Sequence, residues 1–429
     1  MKSRNKGYIL IEALIAVAGL LALMAILVSD QQAHLDLVQG NLRQTRAEAC
    51  ADAAVQQALA VLSTTNEGLV TLNDTWAELG GQAGTSQTQG TQGTEEYDFP
   101  DGTSFREQVV DAGSLINLNN VTEAQLQQLP LDQDQVDSFL DWIQPGENAR
   151  TDGAKDSFYN ALPTPYNAKL AQLTTVNELL LINNWTAQTL YQPPTDSTIL
   201  SLATDSNGNV LPLAALFTTD SGAPNETVTG TTLVNLGAGI SGSTATRLIG
   251  LGISPRIIAR LRATGPGLAP INNFPELFAL PGMTTSQEAL LLDNVTFSTA
   301  TRTTGTINLN TATLPVLQSI PFVSSTVAEA IVQQQSSGFT TGLGELANLG
   351  LTGPLLGEVA TGFTVGSDTW IVRAYGQSGG VGSAEEAVVG FRNSQLQIIS
   401  INRLHTAGIP SWWGWDSTTT STQQAGVTQ

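Results

Sequence analysis

Met1-Lys2-Ser3-Arg4-Asn5-Lys6-Gly7-Tyr8-Ile9-Leu10-Ile11-Glu12, followed by an apolar run to Val28, is the stretch that decides how the rest of the chain is read. Seven basic and polar residues end in a Gly. An apolar segment follows, interrupted only by a carboxylate five residues past that Gly. A secretory signal places its small-residue cleavage site after the apolar region, not before it. Residues 8–28 number 21, matching the ~20 needed to cross a bilayer as a helix. A carboxylate inside such a span is costly and points to function. The cations before the span hold that end on the cytoplasmic side, so the chain after Val28 is expected to be exported.

This arrangement closely resembles the type IV prepilin signal. The resemblance implies that a prepilin peptidase cuts between Gly7 and Tyr8 and that Tyr8 becomes a methylated N-terminus. It also implies that the apolar helix is kept as anchor and assembly stalk, with Glu12 in an assembly role.

Composition agrees with work outside the cytosol. The 429 residues allow two or more domains. Lys and Arg total 17 against 37 Asp and Glu, and losing the three leader cations takes the net charge from −20 to −23. Cys50, the one cysteine, has no partner for an internal disulfide and reads as a small core residue in the Ala-rich run 47–60.

Beyond Val28 the helical pattern continues. Leu35, Leu37, Val38, Leu42, Ala49, Ala53, Ala54, Leu59 and Leu62 recur at three- and four-residue spacing, which predicts one helix from Tyr8 to Leu62. Its second half, around residues 35–62, is expected to pack on a soluble domain. Leu79–Thr94 reads as a flexible loop. Strand-like alternation appears at Phe105–Val110 and returns only at Thr369–Tyr375, Ala387–Phe391 and Leu396–Ile401. The expectation is a small antiparallel sheet split by a long helical excursion.

That excursion is repetitive. Leu115-Ile116-Asn117-Leu118-Asn119, Leu233-Val234-Asn235-Leu236 and Thr306-Ile307-Asn308-Leu309-Asn310 each precede a short helix, a Gly- or Pro-containing turn and a second helix. The Asn side chains are read as caps on the helices that follow. The repeats resemble helix-hairpin-helix (SAM-like) units. The predicted organisation is a leader over 1–7, a transmembrane helix over 8–28, and a pilin-like helix with first strands over 29–114. An inserted helical region follows over 115–360, with repeats near 115–185, 233–290 and 306–352. C-terminal strands over 361–405 and a tail over 406–429 complete it.

Together these parts resemble the K minor pseudopilins of type II secretion systems. The most specific motifs are the Ile-Asn-Leu-Asn starts at 116–119 and 307–310, the run Asp141-Trp142-Ile143 to Tyr159, and Val176-Asn177-Glu178-Leu179-Leu180-Leu181. The resemblance implies an α+β fold with a long N-terminal helix on a small antiparallel sheet and a large helical insertion. It implies a single-pass inner-membrane subunit, its bulk in the periplasm, that joins other minor pseudopilins and the major pseudopilin. Its place would be the pseudopilus tip, where it helps initiate assembly and export across the outer membrane. Two features depart from the family pattern. Many members lack the carboxylate that Glu12 supplies here, which keeps a minor pilin of a type IV pilus as an alternative. Three repeats stand where two are expected, with 234–283 the extra one; a bulge of that size fits a tip, where nothing stacks above.

Enzymatic chemistry finds no support: the two histidines, His34 and His405, carry no nucleophile signature around them, and no Walker or zinc spacing occurs. Asp141, Glu147, Asp152 and Asp156 share a turn-rich segment with Pro145, Gly146 and Gly153, and oxygen ligands on a flexible loop suit Ca²⁺. Calcium also occurs in the resembled family. Against this, the spacing is not that of an EF-hand, and acidic surface turns are common in so acidic a chain. Helix-hairpin-helix units can bind DNA through hairpin amides and nearby cations. Only the second hairpin keeps a Gly and cations, with Arg256 and Arg260 the candidate contacts, and the acidic net charge opposes nucleic acid. Trp412-Trp413-Gly414-Trp415 is expected to pack over the sheet.

Overall fold

The computed structural model describes residues 6–81, 92–194, 210–237, 239–263, 271–404, 406, 408–415 and 421–424. Helix α1 runs from Lys6 to Leu62, 57 residues, or ~85 Å at the α-helical rise. It is long and apolar enough to cross a membrane, with a mean hydropathy of 2.7 in its most apolar window. From Leu10 to Leu42 its large apolar side chains are all exposed; Leu35, Val38 and Leu42 remain 59, 64 and 50% uncovered. Packing begins only at Ala47. From there Ala47, Cys50, Ala51, Ala54, Val55, Ala58 and Leu62 are buried at three- and four-residue spacing. The expected contact over 35–62 is therefore shorter by three turns, because the sheet beneath does not reach that far.

The sheet comprises β1 (Glu95–Asp98), β2 (Thr103–Asp111), β3 (Thr369–Ser378), β4 (Val381–Arg392), β5 (Gln395–Leu404) and β6 (Ser421–Gln424). Their order is β5-β4-β3-β2-β1-β6, antiparallel except for the β1–β6 pair. The predicted strands thus meet in one sheet, with Trp370 opposite Asp111 and Ser378 opposite Thr103. Strand alternation puts Phe105, Val109, Trp370, Val372, Ala374, Ala387 and Val389 in one core with α1. The opposite face holds Arg373, which pairs with Glu386 at 3.4 Å and donates to Gln108 at 3.0 Å. Trp413 and Trp415 cover that face, donating to Glu386 and Gln108, and Trp412 stacks 4.5 Å from Tyr191 of the first helical unit. The tail thus fastens the insertion to the sheet, and part of it, β6, rejoins the sheet's edge.

Three helical units lie between β2 and β3, and each is closed in the same way. Ile116-Asn117 pairs in parallel with Phe217-Thr218, Val234-Asn235 with Val295-Thr296, and Ile307-Asn308 with Phe363-Thr364. One further bond repeats: the amides of Leu118, Leu236 and Leu309 donate to the carbonyls of Thr218, Thr296 and Thr364. Inside the units, the hairpins foreseen are the helix at Glu123–Leu126 with α2 (Gln133–Ile143), α3 (Gly242–Gly250) with α4 (Pro255–Arg262), and the helix at Leu314–Ser319 with that at Ser325–Gln335. The Asn residues do not cap helices. Thr122 and Ser241 accept the capping amides of Gln125 and Thr244 instead. Asn117 and Asn308 accept from the amides two residues on, while Asn119 and Asn310 accept from Leu173 and Phe339, 54 and 29 residues away. Local Asx turns win here because the short ladder ends leave amides that a two-residue loop can satisfy.

The second unit is nested. Gly222–Pro224 pairs antiparallel with Arg302–Thr304, and the whole unit leaves and returns through this two-stranded neck.

Candidate functional site

Gly7 lies in the first turn of α1 with Tyr8 directly after it; the leader residues before Lys6 lie outside the described residues. Glu12 is exposed on the helix among Leu10, Ile11, Leu14 and Ile15, each at least 60% uncovered. An apolar helix with this much bare surface needs lipid or other helices around it.

Where α1 meets the sheet, two carboxylates face the helix. Glu385 is buried and accepts from Arg403 at 3.2 Å, and Arg403 also reaches Asp52 of α1 at 3.4 Å. Glu107, between Phe105 and Val109, is fully buried with neither carboxylate oxygen hydrogen-bonded. Burial pushes its carboxyl up to about 8.

The sheet is joined to the insertion by two polar clusters that sequence reading missed. Asp111, at the end of β2, accepts from Gly113 N, Asn308 Nδ2 and Thr311 Oγ1 at 2.8, 2.8 and 2.6 Å. Burial raises its carboxyl above the ordinary carboxylate range, and hydrogen bonds from Ser367, Thr311, Asn308 and Gly113 offset this only in part. Asn308 donates at the same time to Val70 O, at 3.0 Å, so one amide ties the third unit to both β2 and the segment after α1. In the second cluster Arg302 of the neck binds Asp220 at 2.8 Å and pairs with Asp368, while Arg392 of β4 binds Asp220 at 2.7 Å. Nearby, burial, with Asp368 and Glu226 beside it, pushes Glu67 up to about 7. The sequence signal for the second cluster was faint: isolated Asp and Arg residues far apart in a chain with few cations.

The four carboxylates proposed for calcium do not converge. Asp141 is buried, accepting from Arg150 N at 2.9 Å, with the Arg150 guanidinium 4.0 Å away. Asp156 accepts from Ala168 N at 2.8 Å; Glu147 and Asp152 are exposed. Lys155, itself buried, places its ammonium 2.6 Å from the carbonyls of Asp141 and Gln144 at the end of α2. The cation beside Asp141 is the Arg150 guanidinium, and among the described residues no three Asp, Glu, His or Cys side chains are grouped for a metal. This donor set does not fit Ca²⁺. Its geometry serves the loop instead: Gly153 passes so close that a Cβ there would lie 2.0 Å from Asp141.

Arg256 and Arg260 sit on α4, one turn apart, exposed and half-buried respectively. His405 lies outside the described residues.

Residues 110–192 match the model of the family described as "Type II secretion system (T2SS), protein K". That span contains the motifs at 116–119, 141–159 and 176–181 on which the K-family resemblance was read. A chain of the solved structure "The Crystal Structure of the GspK-GspI-GspJ complex from enterotoxigenic Escherichia coli Type 2 Secretion System" is 13% identical, with a TM-score of 0.40 over 86% of this chain and 99% of that chain. No curated protein matches the chain.

Proposed function

We propose that this chain is a K-type minor pseudopilin, a structural subunit anchored in the inner membrane by α1. It joins other minor pseudopilins at the tip of the type II secretion pseudopilus, where it helps start assembly and export across the outer membrane. The observation that carries this reading is the protein K family match on the first helical unit. That unit is inserted between β2 and β3 of a sheet on which only the end of α1 from Ala47 rests, the helix before it being bare and apolar. The exposed face of Leu35, Val38 and Leu42 offers partner helices a surface continuous with the membrane span. Three helical units at the distal end of α1 make a cap that a further subunit could not stack upon.

The test is co-expression of the full chain with the I- and J-type pseudopilins of its own system, followed by detergent extraction and size-exclusion chromatography. A stable ternary complex is expected, and a chain that elutes alone would refute the reading. The same preparation tests the leader. Mass spectrometry should find an N-methylated Tyr8 terminus, whereas an intact Met1 in a host with the prepilin peptidase would rule out processing after Gly7. Glu12 favours a second reading, a minor pilin of a type IV pilus. Loss of surface fibres with secretion intact, in a strain lacking the gene, would select it.

A further inference from the structure

The cations of this chain are used with unusual economy. Arg150, Lys169, Arg302, Arg373, Arg392 and Arg403 each pair with a carboxylate of the same molecule. Lys155 is held by two carbonyls, and Arg106 lies over the Trp415 ring at 5.3 Å. Apart from Arg43 and Arg46 on α1, the exceptions gather in the α3–α4 hairpin of the nested unit. Arg247, Arg256, Arg260 and Arg262 fall within two consecutive short helices, and among the described residues none of them forms an ion pair. Arg247 donates only to the Thr232 carbonyl. In a chain of net charge −20, four uncompensated guanidinium groups in one hairpin form a local field of opposite sign to the whole. Screening over ~8 Å at physiological salt lets such a patch act on its own.

We infer that the α3–α4 hairpin is a docking surface for an acidic segment of a protein partner, held by the guanidinium groups of Arg256 and Arg260 on one face of α4 and flanked by Arg247. Two observations choose carboxylates over a phosphate backbone. Three of the hairpin amides are engaged within the turn: Gly252 N and Ile253 N donate to Ile249 O and Leu248 O, and Ile257 N to Ser254 Oγ. Pro255 contributes no amide at all. The patch is also short, since helices of nine and eight residues span only ~12–14 Å. A duplex laid across it would run on beyond the arginines over a chain whose net charge is −20, whereas a peptide with a few carboxylates would not. Arginine forks suit carboxylates in two-point contacts. The nested position of the unit, outside the K-family match, makes this surface an addition to the assembly role.

The test uses the full chain in detergent and a short fluorescein-labelled oligo-glutamate, with a short DNA duplex as competitor probe, read by fluorescence anisotropy at low and physiological salt. Binding of the oligo-glutamate is expected, weakening as salt rises. The double variant Arg256→Ala/Arg260→Ala should lose about tenfold or more in affinity. The lysine pair, Arg256→Lys/Arg260→Lys, should retain part of it. As a charge-matched control, Arg43→Ala/Arg46→Ala on α1 should bind like the wild type. Circular dichroism melts should match for all variants, because the substituted side chains are not in the core. Absent binding, or equal losses from the α1 pair, would overturn the proposal. Tighter binding of the duplex, lost in the Arg256/Arg260 variant, would reassign the surface to nucleic acid.

Discussion

Replacing Gly376 with Val is expected to lift α1 from the sheet and to cost more than about 4 kcal/mol of stability. Gly376 continues the helix-facing row Trp370, Val372, Ala374 on β3. Directly above it runs the helix backbone: a Cβ at this position would lie 2.0 Å from Ala47 O and 2.6 Å from Ala51 N. Main-chain atoms of a helix cannot step aside like the end of a flexible side chain. The helix must rise, and the strip Ala47, Ala51, Ala54 and Ala58, fully buried against the sheet, then loses its close contact. The measurement is thermal unfolding combined with limited proteolysis of residues 43–62. Gly40→Ala serves as the control: its Cβ meets nothing within 4 Å, and a helix-interior Gly→Ala gains about 0.5–1 kcal/mol. A Gly376→Val protein that melts within a few degrees of the wild type would show that the helix does not rest on the sheet as described.

Glu107→Gln is expected to remove a pH dependence. The Glu107 carboxyl titrates near its ordinary 4.5 in the unfolded chain and at about 8 in the folded one, because it is buried without a cation. Between those values the folded state holds the proton more tightly. Stability is therefore fully present below pH 4.5, falls as pH rises through this window, and levels off above 8. The difference amounts to about 5 kcal/mol as an upper bound, and the neutral amide should avoid it. The variant's melting temperature should exceed the wild type's by about 5–10 °C above pH 8 and match it near 4.5. Burial also raises Glu67 and Asp293, to about 7 and 6. They remain in both proteins, so the difference between the two curves isolates Glu107. Parallel curves would mean that Glu107 ionises freely. Glu385 makes the contrast instructive: it faces the same helix but has Arg403 beside it.

Much of the architecture was legible because its signals are local. The apolar run and the Ala spacing specify α1, alternation specifies β2 to β5, and the Ile-Asn-Leu-Asn starts mark units whose hairpins lie where expected. What escaped was what depends on partners distant in sequence. The ladders closing each unit are two residues long, too short for alternation to register, although Phe217-Thr218, Val295-Thr296 and Phe363-Thr364 rhyme in hindsight. Leu35 to Leu42 carried a packing periodicity that the folded chain leaves bare, because periodicity identifies a face and not what covers it. The acidic loop after α2 looked like a metal site since proximity in sequence says nothing of Arg150 turning towards Asp137 and Asp141, or of Lys155 reaching the carbonyls at the end of α2.

The separation of β2 from β3 sets an order of events during folding. Arg373 and Gln108, bonded across the central strand pair, are 265 residues apart. Contacts within the units, such as Asn310 with Phe339, close over 29. Loop-closure entropy and the dependence of rate on contact separation both favour the units first and the sheet last. Until β3 emerges from the ribosome, the alanine strip of α1 has only β2 to lie on. A chain cut short between Thr364 and Thr369 would keep α1 and its three closed helical units, yet could not fix α1 against β3 and β4. Docking of α1 thus waits on the C-terminal strands, and only a chain in which they have been made can hold the helix in place.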